Sequence, residues 1–97
     1  MSLLSFNNVG ISGLAAAVPQ KIINNYKHVR ERRFADDNTC SSDLCFAAAE
    51  KLINEMNIDR NEIDLLLFIS QTPDYRMPAT SVLLQNRLQL STSTITF

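Results

Sequence analysis

The residues that could carry out chemistry are few, and their spacing does not assemble a recognisable site. The chain has two cysteines, Cys40 and Cys45, and one histidine, His28. A zinc site needs about four soft ligands, which two cysteines at this spacing do not supply. We therefore predict no metal site. We expect both thiols to be reduced in a cytoplasmic protein, because disulfides are rare in that compartment.

Nucleophilic catalysis is not indicated by these side chains either. His28 and Cys40 both lie in polar segments, and nothing in the sequence orients one toward the other as a nucleophile and its base. The neighbouring carboxylates Asp36 and Asp37 share one loop, so they do not flank a common substrate. Glycine-rich phosphate loops are absent from a chain with two glycines. The sequence predicts no catalytic residue and no bound cofactor, and it leaves cofactor-binding residues undefined.

Composition narrows the class of protein further. At 97 residues the chain can form one small domain, residues 1–97. A formal net charge of −1 argues against binding to nucleic acid, which normally requires a basic face. No stretch approaches the roughly 20 apolar residues of a membrane span. The first five residues lack the basic region of a signal peptide. We expect a cytoplasmic protein without membrane or nucleic-acid partners.

Apolar patterning predicts the elements that must position any site. Residues 9–18 indicate a strand, in which Gly10 and Gly13 allow close backbone approach. Residues 43–57 indicate a helix with one buried stripe that includes Cys45. Residues 65–69 form a continuous apolar run, which is typical of a strand buried on both faces.

The remaining segments complete the order β, loop, α, β, α, β. A second helix is predicted from Pro78 to about residue 90, and a third strand over residues 93–97. Residues 21–35 are polar, and the cluster at residues 30–33 is interpreted as a solvated surface turn. The predicted fold class is α/β, a mainly parallel βαβαβ sheet. Too few helices are present to cover both faces of that sheet, so we expect an incomplete domain.

Several short stretches, in order along the chain, resemble the beginning of a known family of enzymes. Residues 9–19 are similar to an I-x-G-x-G-x-x-x-P strand, and residues 29–33 to a G-I-x-E-R-R turn. Residues 63–66 resemble I-D-L-I, residues 70–80 resemble T-x-T-P-D followed by x-P-x-T, and residues 84–88 resemble L-Q-x-x-L. This ordered set resembles the N-terminal part of β-ketoacyl-acyl carrier protein synthase III, a thiolase-fold condensing enzyme.

The resemblance implies a reaction, and it also implies what this part of the chain lacks. The family transfers an acyl group from acyl-coenzyme A to a cysteine and condenses it with malonyl-acyl carrier protein, which initiates fatty-acid synthesis. The family places that cysteine a few residues beyond Phe97, and its catalytic histidine and asparagine further on. Cys40 and Cys45 do not match it, so these 97 residues alone are expected to be inactive. The resemblance also implies a homodimer.

One site is implied within the chain, together with one departure from the family. In the family, the residue before the proline of the x-P-x-T segment lines the acyl pocket of the dimer partner. That position is Met77, and the implied acyl-pocket and dimer contact comprises Asp74, Met77 and Pro78. Between Asn25 and Val29 the family carries a longer segment with coenzyme A contacts, which is reduced here to three residues.

Two other interpretations remain open at this point. The chain could belong to another thiolase-fold condensing enzyme, such as a hydroxymethylglutaryl-coenzyme A synthase or a secondary-metabolite ketosynthase. It could instead be a non-catalytic subunit that pairs with a complete synthase.

Overall fold

The computed structural model describes residues 3–97, which form two helices and two separate two-stranded sheets. In chain order the elements are β1 (Lys21–Tyr26), β2 (Val29–Phe34), α1 (Ser41–Met56), a 3₁₀ turn (Arg60–Glu62), β3 (Leu65–Leu66), α2 (Thr80–Arg87) and β4 (Ile95–Thr96). Strands β3 and β4 pair in parallel across the α2 crossover, as the predicted order requires. The α/β class of the prediction is confirmed.

Helix α1 matches its prediction closely, although it begins two residues earlier than expected. The Asp43 carboxylate accepts a hydrogen bond from the Cys40 backbone N–H at 2.8 Å, which satisfies one of the free donors at the helix start. The helix ends at Met56, and the next residue, Asn57, adopts a left-handed conformation with φ of 51°. Asparagine tolerates this conformation better than most residues do.

The polar segment that the sequence left unassigned is an antiparallel hairpin. Strands β1 and β2 pair in a continuous register from Lys21↔Phe34 to Tyr26↔Val29. The interpretation of residues 30–33 as a turn is therefore wrong, because they lie in β2. The turn is Lys27–His28, where φ is 45° and 67°. Positive φ at both positions suits the right-handed twist of a two-residue hairpin.

The strand predicted over residues 9–18 has no partner strand among residues 3–97. These residues have no strand assignment and do not join either sheet. From Gly13 to Pro19 their exposure nevertheless alternates, as in an extended chain with one face packed inward. Gly13 lies so close to α1 that an added Cβ would collide with Met56 Sδ, whereas Gly10 has open space around it. The predicted close approach is thus confirmed at Gly13 only.

The second helix and both sheet strands are shorter than predicted. Helix α2 begins at Thr80, two residues after Pro78, and ends at Arg87 rather than near residue 90. The β3–β4 ladder covers two residues of each strand, and its hydrogen bonding continues from Phe68 N–H to Phe97 O at 2.8 Å. Short ladders leave most of the apolar run at residues 65–69 without a neighbouring strand.

A small core joins the helices, and Cys45 lies outside it. Ile53, Leu88 and Leu90 are buried together, with Phe46 and Ala49 packed against them. The prediction that Cys45 faces the core is wrong, because its side chain is exposed. It borders an open apolar groove of about 400 Å³ between α1, Ala15 and residues 66–69.

The surface of the molecule is large for its mass. The accessible area is 8389 Å², whereas a folded monomer of 10.9 kDa is expected to expose about 5,600 Å². The radius of gyration is 16.1 Å, against about 12.5 Å for a domain of this length. Large apolar side chains are exposed, including Ile11, Leu14 and Ile69. The expectation of an incomplete domain agrees with these values.

Candidate functional site

The loop between β3 and α2 contains all three residues of the predicted site, and Asp74 anchors it to α1. The Asp74 carboxylate accepts two hydrogen bonds from Ser42, one from the backbone N–H at 3.3 Å and one from the side-chain hydroxyl. Ser42 is buried, and Asp74 is half-buried. The accepting carboxylate lies at the N-terminus of α1, where the helix dipole stabilises negative charge.

Arg87 adds a second connection, from the last turn of α2 to the first turn of α1. Its guanidinium donates to Asp43 Oδ1 at 2.9 Å and to Ser42 Oγ at 3.3 Å. The same group stacks on the Phe46 ring, 4.5 Å from the ring centroid. Two hydrogen bonds lower the pKa of the Asp43 carboxyl. The larger effect comes from the Cys40 backbone N–H, and the smaller one from Arg87. The start of α1 therefore carries a charged network shared by both helices and the loop.

Hydroxyl groups extend the network along the start of the loop. Ser41 Oγ lies 2.8 Å from Thr72 Oγ1, and the Thr72 backbone N–H donates to Ser70 Oγ at 3.0 Å. Thr72 and Asp74 thus both bind the first turn of α1. These contacts hold residues 72–74 against α1 and so fix the direction of the chain at the start of residues 75–79.

Met77 and Pro78 lie beyond this anchored part and face outward. Met77 is 86% exposed, and Pro78 is also exposed. The peptide bond between them is cis. The structure therefore places Asp74 in an internal network while Met77 is presented to the outside. The predicted contribution of Met77 to a partner's acyl pocket stays a prediction.

Arg60 forms a separate link that supports the same framework. It donates to Glu50 Oε1 at 2.7 Å and Oε2 at 3.1 Å, and to the Leu88 carbonyl oxygen at 2.6 Å. This bidentate pair lowers the pKa of the Glu50 carboxyl. It joins α1, the 3₁₀ turn and the chain that follows α2.

The other candidate residues are not brought together. His28 lies in the hairpin turn, while Cys40 and Cys45 are exposed at α1. No cluster of three or more potential metal-ligating side chains occurs in the part of the chain that the structure describes. Among residues 3–97, no helix is long and apolar enough to cross a membrane.

Sequence reasoning missed Ser42 and Arg87 as partners of the site. Ser42 and Asp74 are 32 positions apart, and Arg87 lies 44 positions from Asp43. The available signals were an acidic residue in the first turn of one helix and a basic residue in the last turn of the next. Those signals predict favourable helix ends but do not identify the partners.

Comparison with known proteins now identifies the relatives of this chain. No family model matches it. A Campylobacter jejuni protein named as a 3-oxoacyl-[acyl-carrier-protein] synthase 3 is 34% identical, over 95% of this chain and 32% of the relative. A β-ketoacyl-[acyl-carrier-protein] synthase III of Symbiobacterium thermophilum is 33% identical, over 82% of this chain and 29% of the relative. The chain is homologous to the synthase III proteins. It spans about a third of the length of the curated relatives it matches.

Solved structures agree with this homology and establish the fold. A 3-oxoacyl-(acyl-carrier protein) synthase from Burkholderia xenovorans matches with a TM-score of 0.77 and 34% identity, over 87% of this chain and 30% of that one. OleA of Xanthomonas campestris matches with a TM-score of 0.85 and 25% identity, over 95% of this chain and 33% of that one. The chain is thus part of a thiolase-like fold, as the synthase III resemblance implied.

Removal of the Asp74 carboxylate should destabilise the protein. Asp74→Ala leaves the buried Ser42 hydroxyl without its acceptor, and we expect a loss of about 1–3 kcal/mol in the free energy of unfolding. Equilibrium unfolding in urea measures this change in the free energy of unfolding. Asp37→Ala is the matched control, because Asp37 is exposed and should change stability by less than about 0.5 kcal/mol. Equal effects of the two substitutions would contradict the anchoring role.

Stability should fall in acid partly through Asp43. Its pKa is lowered in the folded state, so the unfolded state binds more protons in this range. The contribution of Asp43 is complete above about pH 4 and is lost as the pH falls through the lowered pKa. Thermal unfolding followed from about pH 6 down to pH 2.5 should decline less steeply for Asp43→Asn than for the wild type. Parallel curves would show that Asp43 does not contribute.

Proposed function

We propose that the chain is the N-terminal part of a 3-oxoacyl-acyl carrier protein synthase III, which condenses acyl-coenzyme A with malonyl-acyl carrier protein to initiate fatty-acid synthesis. The observation that carries this proposal is homology to synthase III proteins across 95% of the chain and only 32% of the relative. The incomplete core supports it, since exposed apolar side chains need a larger body to cover them.

The proposed reaction has two steps, and the cysteine that takes part in both lies beyond Phe97. A cysteine thiolate attacks the acyl thioester, and coenzyme A leaves as its thiol. Malonyl-acyl carrier protein then loses carbon dioxide. The carbanion so formed attacks the acyl-cysteine and releases the thiolate, while a histidine and an asparagine stabilise the oxyanion. The protein is proposed to act in the cytoplasm as a homodimer, with acyl-coenzyme A as substrate rather than as a resident cofactor.

Two structural parts of this chain serve that reaction in the proposal. Strand β4 leads toward the nucleophilic cysteine, and Phe97, which follows the strand, donates its backbone N–H to Leu66 O at 2.9 Å. The loop anchored by Asp74 presents Met77 outward, where it would enter the acyl pocket of the dimer partner. A flexible thioether side chain suits an acyl-shaped cavity.

A second candidate is another thiolase-fold condensing enzyme, which the TM-score of 0.85 to OleA favours. A non-catalytic partner subunit is the third candidate. The three candidate functions differ in two properties: the molecule that accepts the acyl group, and the presence of a reactive cysteine.

Peptide mass mapping of the protein that carries this segment tests the proposed function. After incubation with acetyl-coenzyme A, we expect an acetyl thioester on a cysteine outside residues 1–97. Malonyl-acyl carrier protein should then discharge it to a 3-oxoacyl product. Cys40→Ser and Cys45→Ser should leave the acylation unchanged. Acylation of either of these cysteines, or none at all, would overturn the proposal. Acylation without discharge by the carrier protein would favour the other condensing enzymes.

The Met77 contact makes a separate prediction about acyl-chain preference. A bulkier side chain in Met77→Trp should shorten the pocket and lower kcat/KM for longer acyl-coenzyme A substrates by about tenfold relative to acetyl-coenzyme A. Tyr75→Phe is the control, since Tyr75 lies in the same loop and is also exposed. If both variants keep the wild-type preference, Met77 does not line the pocket.

A further inference from the structure

A pocket of about 270 Å³ lies beside the N-terminus of α2, where the parallel strands β3 and β4 end. Its apolar walls include Phe68 and Phe97, whose backbone hydrogen bond continues the β3–β4 ladder. Arg76 and the first residues of α2 also line the pocket. In open α/β sheets, ligands commonly bind in the crevice outside the carboxyl ends of the strands. The position of the pocket is therefore typical of a binding site.

One buried hydroxyl group in the wall of this pocket has no hydrogen-bond partner. Thr80 is 4% exposed, and its Oγ1 forms no hydrogen bond within residues 3–97. The buried hydroxyls of Ser42 and Thr94, in contrast, both donate to an acceptor. A buried hydroxyl without a partner costs free energy, so native structures rarely contain one. Thr80 therefore indicates a hydrogen-bonding group that enters the pocket from outside residues 3–97.

The start of α2 contributes two more donors beside Thr80 Oγ1. The backbone N–H groups of Val82 and Leu83 donate to the Ala79 carbonyl oxygen at 3.0 and 3.4 Å, but those of Thr80 and Ser81 come too early in the helix for such a bond. The residue before the helix is Ala79, and no side chain caps this end. Thr80 and Ser81 are both buried. Free N–H groups at a helix start favour an acceptor with negative charge.

Arg76 makes the pocket suitable for an anion. It is exposed, and it takes part in neither of the ion pairs described within residues 3–97. No acidic residue of that range lines the pocket. The Phe68 and Phe97 walls favour an anion with an apolar body over inorganic phosphate, which is polar on every side. A carboxylate on a short hydrocarbon chain meets both requirements.

We propose that this pocket binds a carboxylate group at the end of a short hydrocarbon chain. The Thr80 hydroxyl and the N–H groups of Thr80 and Ser81 donate to the carboxylate oxygens, and Arg76 balances the charge. The carboxylate belongs either to a free carboxylic acid or to the far end of an acyl chain carried as a thioester. Binding of a free acid goes beyond the proposed function, whereas binding of an acyl chain rests on it.

Titration with sodium hexanoate tests the pocket in the protein that carries this segment. We expect the amide NMR resonances of Thr80 and Ser81 to shift with saturation, and the neutral hexanamide to bind about tenfold more weakly. Thr80→Val keeps the shape of the side chain without its hydroxyl and should weaken hexanoate binding about tenfold. The matched control is Thr92→Val, at an exposed threonine outside the pocket, which should leave the affinity unchanged.

Three results would overturn the carboxylate site. They are equal affinity for hexanoate and hexanamide, unchanged hexanoate affinity in Thr80→Val, and equal weakening by Thr80→Val and Thr92→Val. The melting temperature provides an independent check, because loss of an unpaired hydroxyl should not lower it. A lower melting temperature in Thr80→Val than in Thr92→Val would show that polypeptide beyond Phe97 already bonds to Thr80, and would also overturn the site.

Acylation rates distinguish the two sources of the carboxylate. Succinyl-coenzyme A and butyryl-coenzyme A have acyl chains of equal length, but only the first ends in a carboxylate. A wild-type preference for succinyl-coenzyme A that Thr80→Val removes identifies the acyl chain as the ligand. Hexanoate binding without such a preference identifies a free acid. If neither thioester acylates the protein, the proposed function fails, whereas the hexanoate titration still decides the pocket.

Discussion

The geometry of this molecule depends on the contact between the Asp74 carboxylate and the first turn of α1. A helix start leaves backbone N–H groups without partners inside the helix, and Asp74 supplies one acceptor from a distant loop. Because Ser42 is buried, its hydroxyl also needs this partner. Arg87 then brings α2 to the same turn of α1. The two helices and the loop are thus positioned by polar groups rather than by a large core.

The small core explains why polar contacts carry so much of the structure. Among residues 3–97, four apolar side chains are buried, Ile53, Leu84, Leu88 and Leu90. Apolar residues around the open groove beside α1 remain in contact with water. The synthase III relatives are about three times as long as this chain. In the proposed whole enzyme, the additional polypeptide would cover that groove and the unpaired segment at residues 9–18.

The sequence could predict the elements whose signals are local. Helix α1 was predicted because its apolar side chains recur at helical spacing, and the structure confirms it over Ser41–Met56. The apolar run at residues 65–69 likewise marked a strand, which the structure confirms at Leu65–Leu66. The predicted burial on both faces is wrong, because Leu65, Leu67 and Ile69 are exposed. The α/β class and the thiolase-like fold followed from the order of these elements and from the family resemblance.

The elements that sequence reasoning missed depend on distant partners or unusual turns. The hairpin lacks alternation of apolar and polar residues, and its turn uses Lys27–His28 instead of the asparagine and glycine that favour positive φ. Residues 9–18 were predicted as a paired strand, but pairing requires a neighbour that lies outside the segment itself. The Ser42–Asp74 contact spans 32 positions and leaves no periodic signal.

Hydrogen exchange of the loop amides in Ser42→Ala, measured by mass spectrometry, tests the central role of the Asp74 anchor most directly. Loss of the hydroxyl removes one of the two hydrogen bonds to Asp74 and the hydrogen bond that Arg87 donates to Ser42 Oγ. We predict faster exchange over residues 70–79 and at the first turn of α1, with little change in the β1–β2 hairpin. Unchanged exchange in the loop, or equal acceleration throughout the chain, would contradict the account.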